Sequence, residues 1–237
     1  MRILAFETSA KAASVAVLQD GKMLGEYFQN SGQTHSRTVM AMADDLLRNC
    51  DLTPGDIDSC AVAAGPGSFT GVRIGVAAAK GFCWGRQLPL WGVSTLEAMA
   101  HGMSLFTGVV VPVMDARRSQ VYCAAFAVEY GEVRRLFDDA ALSLEELEER
   151  LKNVEKSKLL VGDGAELCYN TLGARVPGLI LAPEHLRMQR ASGVALAAAA
   201  RAVLGGTADA SALTPTYLRI PQAERERNKR VNTERSY

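Results

Sequence analysis

Two short segments of the chain carry residue types that could contact the phosphates of a nucleotide. One is a polar turn after the apolar run 2–6, and the other is a glycine-rich turn between an apolar run and a small-residue helix. Glycine permits backbone angles closed to other residues, and a helix N-terminus presents free amides to an anion. We therefore predict a weak or vestigial nucleotide-binding set, which consists of Glu7, Thr8, Ser9, Gly65, Gly67 and Ser68.

The glycine-rich turn departs from the two best-known phosphate-binding motifs. Val72 follows Gly71 where a P-loop requires lysine, and Thr70 stands where a dinucleotide fingerprint has its third glycine. These differences exclude a Walker motif and disfavour a Rossmann cofactor site. Helix-on-sheet packing explains the glycines equally well, and local hydrogen bonds in a hairpin turn explain Thr8 and Ser9.

Other catalytic or metal-binding patterns are absent from the sequence. The three histidines, His35, His101 and His185, have no second histidine at helical ligand spacing. No G-x-S-x-G segment occurs, so an exposed serine nucleophile of the hydrolase type is not indicated. We therefore predict no catalytic residue and no metal ligand in this chain.

Apolar periodicity predicts an α/β fold made of two degenerate copies of one β-β-β-α-β-α unit. In the first copy a three-strand meander covers 2–28, and Asp20-Gly21 is a strong hairpin signal within it. Helices at about 35–49 and 69–85 then alternate with buried strands. Strand, helix and strand in this order imply a crossover connection between parallel strands.

A second copy begins near Thr107 with another three-strand meander, followed by a capping box at Ser143 and Glu146. We divide the chain into a first subdomain at 1–104, a second at 105–221 and a charged, flexible tail at 222–237. This division leaves open that the last helix of the second subdomain packs on the first subdomain.

The helices at 35–49 and 69–85 carry more apolar and small side chains than one buried stripe needs. Met40 lies beside the buried stripe of the first helix, and methionine suits an adaptable interface. Core packing explains the same residues equally well, and the pattern does not decide which face points inward. The predicted partner or dimer interface consists of His35, Val39, Met40, Met42, Leu46, Gly71, Gly75, Ala78 and Phe82.

Composition narrows the class of protein. Lys plus Arg and Asp plus Glu balance at 26 each, which argues against a surface that binds nucleic acid strongly by itself. The 5 cysteines lack any C-x-x-C pair and suit a reducing cytoplasm. Neither a secretory signal nor a membrane-length apolar run is visible, so we expect a cytoplasmic protein with no membrane contact.

Five segments, in the same order along nearly the whole chain, resemble the TsaB (YeaZ) family of bacterial proteins that take part in making N6-threonylcarbamoyladenosine (t6A) on tRNA. Together the segments are specific, although any one alone is weak. They are Ile3–Ser9, Gly65–Gly75, Gly92–Leu96, Met114–Arg118 and Pro215–Arg219.

The resemblance implies membership of the actin, Hsp70 and sugar-kinase (ASKHA) superfamily and a non-catalytic role. Glu7 stands where the superfamily has a phosphate-contacting Asp. His35 and Val39 stand where the catalytic paralogue TsaD has a His-x-x-x-His metal pair. A family member is expected to dimerise with TsaD through helices 35–49 and 69–85, stabilising and activating it.

The resemblance also implies the remaining partners and cofactors. They are the ATPase TsaE, tRNA reached only through the complex, ATP and Mg²⁺ used by the complex but no cofactor of this subunit, and a homodimer when TsaD is absent. The alternative hypothesis is an active ASKHA-type nucleotide-dependent phosphotransferase. It would hold ATP and Mg²⁺ with Glu7, Thr8 and the turn 65–68.

Overall fold

The computed structural model of the chain describes residues 1–117, 119–206 and 208–219. The predicted tail at 222–237 lies outside the described residues, as does Arg118. The described chain forms two mixed five-stranded sheets with helices, which confirms the α/β fold class.

The first sheet has the strand order β3-β2-β1-β4-β5. Strands β1 to β3 are an antiparallel meander, and β4 and β5 add in parallel to β1. The strands are β1 (Arg2–Glu7), β2 (Ala13–Gln19), β3 (Lys22–Gln29), β4 (Ser59–Gly65) and β5 (Leu90–Ser94). Its helices are α1 (His35–Asn49), α2 (Phe69–Trp84) and α3 (Thr95–His101).

The second sheet repeats this plan, with the order β10-β9-β6-β7-β8. Its first three strands are again an antiparallel meander, and its last two again add in parallel. The strands are β6 (Gly108–Asp115), β7 (Gln120–Glu129), β8 (Glu132–Ser143), β9 (Lys158–Val161) and β10 (Leu179–Leu181). The helices are α4 (Leu144–Leu151), α5 (Ala165–Leu172), α6 (Glu184–Arg187) and α7 (Ala191–Val203).

Several local signals form as the sequence predicts. Asp20-Gly21 and Tyr130-Gly131 both have positive φ angles, as tight hairpin turns require. The Ser143 hydroxyl accepts the Glu146 N–H at 3.2 Å while the Glu146 carboxylate accepts the Ser143 N–H at 2.7 Å, so the capping box is confirmed.

The first sheet is covered by helices from both halves of the chain. On one face, Val39 of α1 and Val72 of α2 pack against Leu4 and Phe6 of β1. On the other face, α7 places a row of alanines and Val194 against the opposite side of β1. The first sheet therefore completes its core with a helix that comes after the whole second sheet.

Helix α3 lies between the two halves. Leu96 and Met99 pack against Val110 and Phe126 of the second sheet. Across the same junction, the Ser94 hydroxyl donates to Asp139 at 2.5 Å. The two sheets are thus joined by a shared apolar cluster, and a cleft opens beside it. None of the helices named above combines the length and the hydropathy that crossing a bilayer requires.

Candidate functional site

The cleft between the two halves has a volume of about 470 Å³. Ser9, Gly67 and Ser68 line it from the first half, and Asp115 and Asp163 line it from the second. These residues lie at or just after the carboxyl ends of β1, β4, β6 and β9, because the carboxyl ends of the parallel strands of both sheets meet at this edge. The topology therefore brings both predicted nucleotide-binding segments to one wall of the cleft.

On that wall, the turn after β1 is bonded directly to the glycine-rich turn and to α2. The Ser68 N–H donates to the carbonyl O of Ser9 at 2.7 Å. The Thr8 hydroxyl donates to the carbonyl O of Gly71 at 2.8 Å. The Ser9 N–H donates to Glu7 Oε1 at 2.6 Å. These groups, which could have contacted a phosphate, are used inside the chain.

The glycines of α2 permit this close contact. A Cβ atom added at Gly71 would lie 2.1 Å from the carbonyl O of Thr8, and one added at Gly75 would lie 2.4 Å from Thr8 Oγ1. At Gly67 the same atom would lie 2.5 Å from the carbonyl O of Ser9. Real Cβ atoms do not approach so closely, so the packing of the turn against α2 requires glycine at all three positions.

Glu7 lies beneath the wall and is fully buried. Burial raises the pKa of its carboxyl from about 4.5 to about 7, against the opposing effect of its hydrogen bonds to Ser9 and with a smaller addition from the charge of Asp163. Its Oε2 atom has no hydrogen-bond partner among the described protein groups. The carboxyl thus faces the protein interior and is neutral at mildly acidic pH.

The opposite wall of the cleft carries two acidic residues, Asp115 and Asp163. Burial raises the pKa of Asp163, although the Gln189 amide donates to its Oδ1 at 3.2 Å. Asp115 accepts the backbone N–H of Arg117 at 2.7 Å and is exposed. Within residues 1–117, 119–206 and 208–219, no three His, Cys, Asp or Glu side chains come together in a way that could hold a metal ion.

The six predicted nucleotide-binding residues are therefore brought together, but in two layers. Ser9, Gly67 and Ser68 reach the cleft, whereas Glu7, Thr8 and Gly65 are buried behind them. Ser68 also caps α2, because its hydroxyl accepts the Gly71 N–H at 3.3 Å. Nucleotide binding at these residues stays a prediction.

The predicted interface residues divide into buried and accessible ones. Val39, Leu46, Gly71 and Gly75 are buried inside the first half, by the packing of α1 and α2 on the sheet. This burial leaves them little surface for a partner, and their assignment to the interface stays a prediction.

Met40 is the most exposed member of the predicted interface, with 42% of its surface accessible. His35, Met42, Ala78 and Phe82 are half-buried. The His35 ring hydrogen-bonds the carbonyl O of Ala10 through Nε2 at 2.7 Å. Phe82 packs on the core cluster of the first half, with its ring centroid 6.4 Å from that of Phe6. Met40 is thus the side chain of this set that a partner can contact most freely.

Sequence reasoning missed the outward face of α2. Arg73, Ala77, Gly81 and Trp84 are exposed there, and Trp84 is 86% exposed. Their spacing of four, four and three residues is that of one helix face, so the pattern was present in the sequence. The set predicted from this helix contains Gly71, Gly75, Ala78 and Phe82 instead.

Comparisons with known proteins agree with this architecture. The family model described as TsaD, tRNA N6-adenosine threonylcarbamoyltransferase, matches residues 29–225. The tRNA threonylcarbamoyladenosine biosynthesis protein TsaB of Bacillus subtilis is 34% identical, over 94% of this chain and 96% of the relative. The protein of the same name from Escherichia coli is 33% identical, over 92% and 95%.

A solved structure of YeaZ from Pseudomonas aeruginosa superposes with a TM-score of 0.75 at 25% identity. The alignment covers 92% of this chain and 99% of that one. The fold is of the ASKHA class, as the sequence predicts. The two curated relatives match nearly from end to end at more than 30% identity. The chain therefore belongs to the TsaB family.

Proposed function

We propose that this chain is the non-catalytic partner subunit of the tRNA threonylcarbamoyladenosine synthase and that it pairs with and stabilises the catalytic paralogue TsaD. The relatives from Bacillus subtilis and Escherichia coli are named as t6A biosynthesis proteins, and the chain matches them over almost their full length. This match supports a role of the chain in t6A biosynthesis, in which we assign it the task of pairing with TsaD.

The non-catalytic role is supported by the turn after β1, whose polar groups are bonded within the protein. Phosphoryl transfer depends on backbone and side-chain donors that are free to hold phosphate, and on ionised carboxylates that hold Mg²⁺. Here the Ser9 N–H, the Ser68 N–H and the Thr8 hydroxyl bond to other protein groups. Glu7 is buried with a raised pKa. These features favour a binding subunit over an enzyme.

The outward face of α1 and α2 supports the pairing part. It exposes Met40 on α1 and Ala77 and Trp84 on α2, and exposed tryptophan is characteristic of protein interfaces. We assign TsaD to this face, or a second copy of the chain when TsaD is absent, since an apolar patch made for a similar fold can pair with itself.

The remaining partners follow from the same proposal. TsaE is the further protein of the complex, and tRNA is reached only through the complex. ATP and Mg²⁺ are used by the complex and not required by this subunit. The 5 cysteines are all free, as is usual in the cytoplasm, where we place the protein.

Light scattering after size-exclusion chromatography tests the proposal, with the chain alone, TsaD from the same organism alone, and the mixture. We expect a mixed complex that gains t6A-forming activity absent from either protein alone. Met40→Asp should abolish the complex without unfolding the chain, because Met40 lies on the surface. Tyr130→Asp is the matched control, since Tyr130 is 96% exposed on a hairpin of the second half.

Loss of the complex in both variants, or in neither, would overturn the assignment of the face. Absence of any complex between the unmodified proteins would overturn the pairing itself.

The cleft of about 470 Å³ favours a second candidate function, nucleotide-dependent phosphotransfer, since its size suits a nucleotide. Turnover of ATP by the purified chain, measured as released phosphate, tests it. We expect none. Turnover that Glu7→Gln abolishes would establish this second function in place of the first.

A further inference from the structure

The segment 208–219, which we call the strap, comes after α7 in the sequence, and its residues 216–219 line the cleft. The Thr216 N–H donates to the carbonyl O of Ala64, at the end of β4, at 2.7 Å. Leu213 lies against Gly92 of β5, so closely that a Cβ atom there would be 2.2 Å from Leu213 Cδ1. The strap is thus fastened to the edge of the first sheet.

The strap is also fastened to the first two turns of α2. Arg73 Nε donates to the hydroxyl of Tyr217 at 2.8 Å. The ring of Tyr217 lies 5.0 Å from that of Phe69, and the Arg73 guanidinium lies 3.9 Å above the Phe69 ring. Aromatic pairs and cation–π contacts at these distances are attractive. The three side chains form one cluster on the α2 surface, which we call the α2–strap cluster.

At its other end the strap reaches the second half. Arg219 Nη1 donates to the carbonyl O of Ala116 at 2.9 Å. Ala116 lies in the turn between β6 and β7, on the wall of the cleft opposite Ser9 and Ser68. A single residue, Leu218, lies between Tyr217, which bonds α2, and Arg219, which bonds the far wall of the cleft. The strap therefore links the α2 surface to the cleft by a short and direct route.

The α2–strap cluster is accessible from outside. Arg73 is exposed on the same helix face as Ala77 and Trp84. Phe69 and Tyr217 each keep more than a third of their surface accessible. A protein seated on this face of α2 would contact the cluster and restrict the side chains that hold the strap.

We propose that the strap couples the outward face of α2 to the cleft. A partner that binds α2 immobilises the α2–strap cluster and with it the strap. The hydrogen bond from Arg219 to Ala116 then restricts the motion of the turn between β6 and β7. When binding rigidifies a segment, the conformational-entropy cost of ordering the residues bonded to that segment falls. The identity of the partner rests on the proposed function, but the contacts that link α2, the strap and the turn all lie within this chain.

Hydrogen exchange measured by mass spectrometry on the isolated full chain tests the coupling. Tyr217→Phe removes the hydroxyl that Arg73 holds and keeps the ring, and Arg219→Ala removes the contact with Ala116. We expect each variant to raise exchange several-fold in the turn between β6 and β7. The double variant should raise it no further than Arg219→Ala does alone, since both changes interrupt one route.

Tyr130→Phe is the matched control and should leave exchange in that turn unchanged, because Tyr130 lies on the hairpin at the other end of β7. If Tyr217→Phe does not affect the turn, or if the two effects add independently, the coupling is refuted.

A second measurement adds TsaD. In the unmodified chain we expect the complex to protect both the strap and the turn from exchange, and in Arg219→Ala the strap alone. Equal protection of the turn in Arg219→Ala would refute transmission through the strap. Failure to form any complex would refute the proposed function, while the isolated chain would still decide the coupling.

Discussion

The two halves of the molecule repeat one topology, yet their outer helices differ. In the first half, α1 and α2 have 15 and 16 residues, whereas α4 and α5 of the second have 8 each. The outward face of α2 shows Ala77, Gly81 and Trp84, and that of α4 shows mainly glutamates. Among the described residues, the first copy thus has the two longer outer helices, and α2 carries small and apolar residues on its outward face.

A second difference lies in how each half uses glycine. Helix α2 contains Gly71 and Gly75, pressed against Thr8, while α5 contains no glycine. The turn after β1 therefore packs directly on α2, which leaves no gap in this wall of the cleft. The following four experiments test these differences, from the largest expected effect to the smallest.

Gly71→Ala should destabilise the chain by about 3 kcal/mol or more, because the new Cβ atom would meet the Thr8 carbonyl in a packed site. Gly81→Ala in the same helix should stabilise it by up to about 1 kcal/mol, since, apart from its own neighbours in the helix, no atom of the described residues lies within 4 Å of a Cβ atom added there. Urea unfolding of the two variants measures both. Equal effects would show that the turn does not press on α2.

Glu7 should make stability depend on pH. Its pKa is raised in the folded chain to about 7, so the neutral form stabilises the fold, fully below the unfolded value near 4.5. This contribution is lost as the pH rises through about 7 and amounts to up to about 3 kcal/mol. Denaturant midpoints between these pH values should fall for the unmodified chain.

Glu7→Gln should flatten that pH profile, because the amide does not ionise. Asp163→Asn, on the opposite wall, should flatten it less, since Asp163 is less buried and its carboxylate accepts a hydrogen bond from Gln189. A profile that Glu7→Gln leaves unchanged would mean that Glu7 is ionised in the fold.

Trp84→Asp on α2 should weaken the association with TsaD by about 2 kcal/mol or more, as removal of a central interface aromatic does. Leu167→Asp on α5 is the counterpart in the second half, at 43% exposure, and should leave association unchanged. Titration calorimetry compares the two. A larger effect of Leu167→Asp would move the partner surface to the second half.

Ser143→Ala should cost about 1 kcal/mol, because it removes the side-chain acceptor of the capping box that starts α4. Ser68→Ala should cost a similar amount, through loss of the bond to the Gly71 N–H. Thermal unfolding measures both. A much larger loss at Ser68 would show that its hydroxyl has a role beyond capping.

Much of the fold follows from local patterns in the sequence. Asp20-Gly21 marks a hairpin, Ser143 with Glu146 marks a helix start, and the order of apolar runs marks two similar units. Each of these signals acts within a few residues, which is why the sequence alone predicts it.

The parts that sequence did not predict depend on contacts between distant segments. A helical pattern shows that Gly71 and Gly75 share a face, but only the approach of Thr8 shows that this face points inward. The strap has neither helical nor strand periodicity, and its course depends on single contacts such as Arg219 with Ala116. The buried orientation of the Glu7 carboxyl likewise depends on the hydrogen bond to Ser9.

The position of α7 has a consequence for biosynthesis. The helix that covers one face of the first sheet, with Val194 against Ile3 and Ala5, is made only after both sheets have been translated. When residues 1–104 have left the ribosome, the first sheet can form, but the apolar face that α7 will cover is still exposed to water. The first half therefore completes its native core only after α7 has been synthesised, and a gene fragment that encodes it alone would yield an aggregation-prone product.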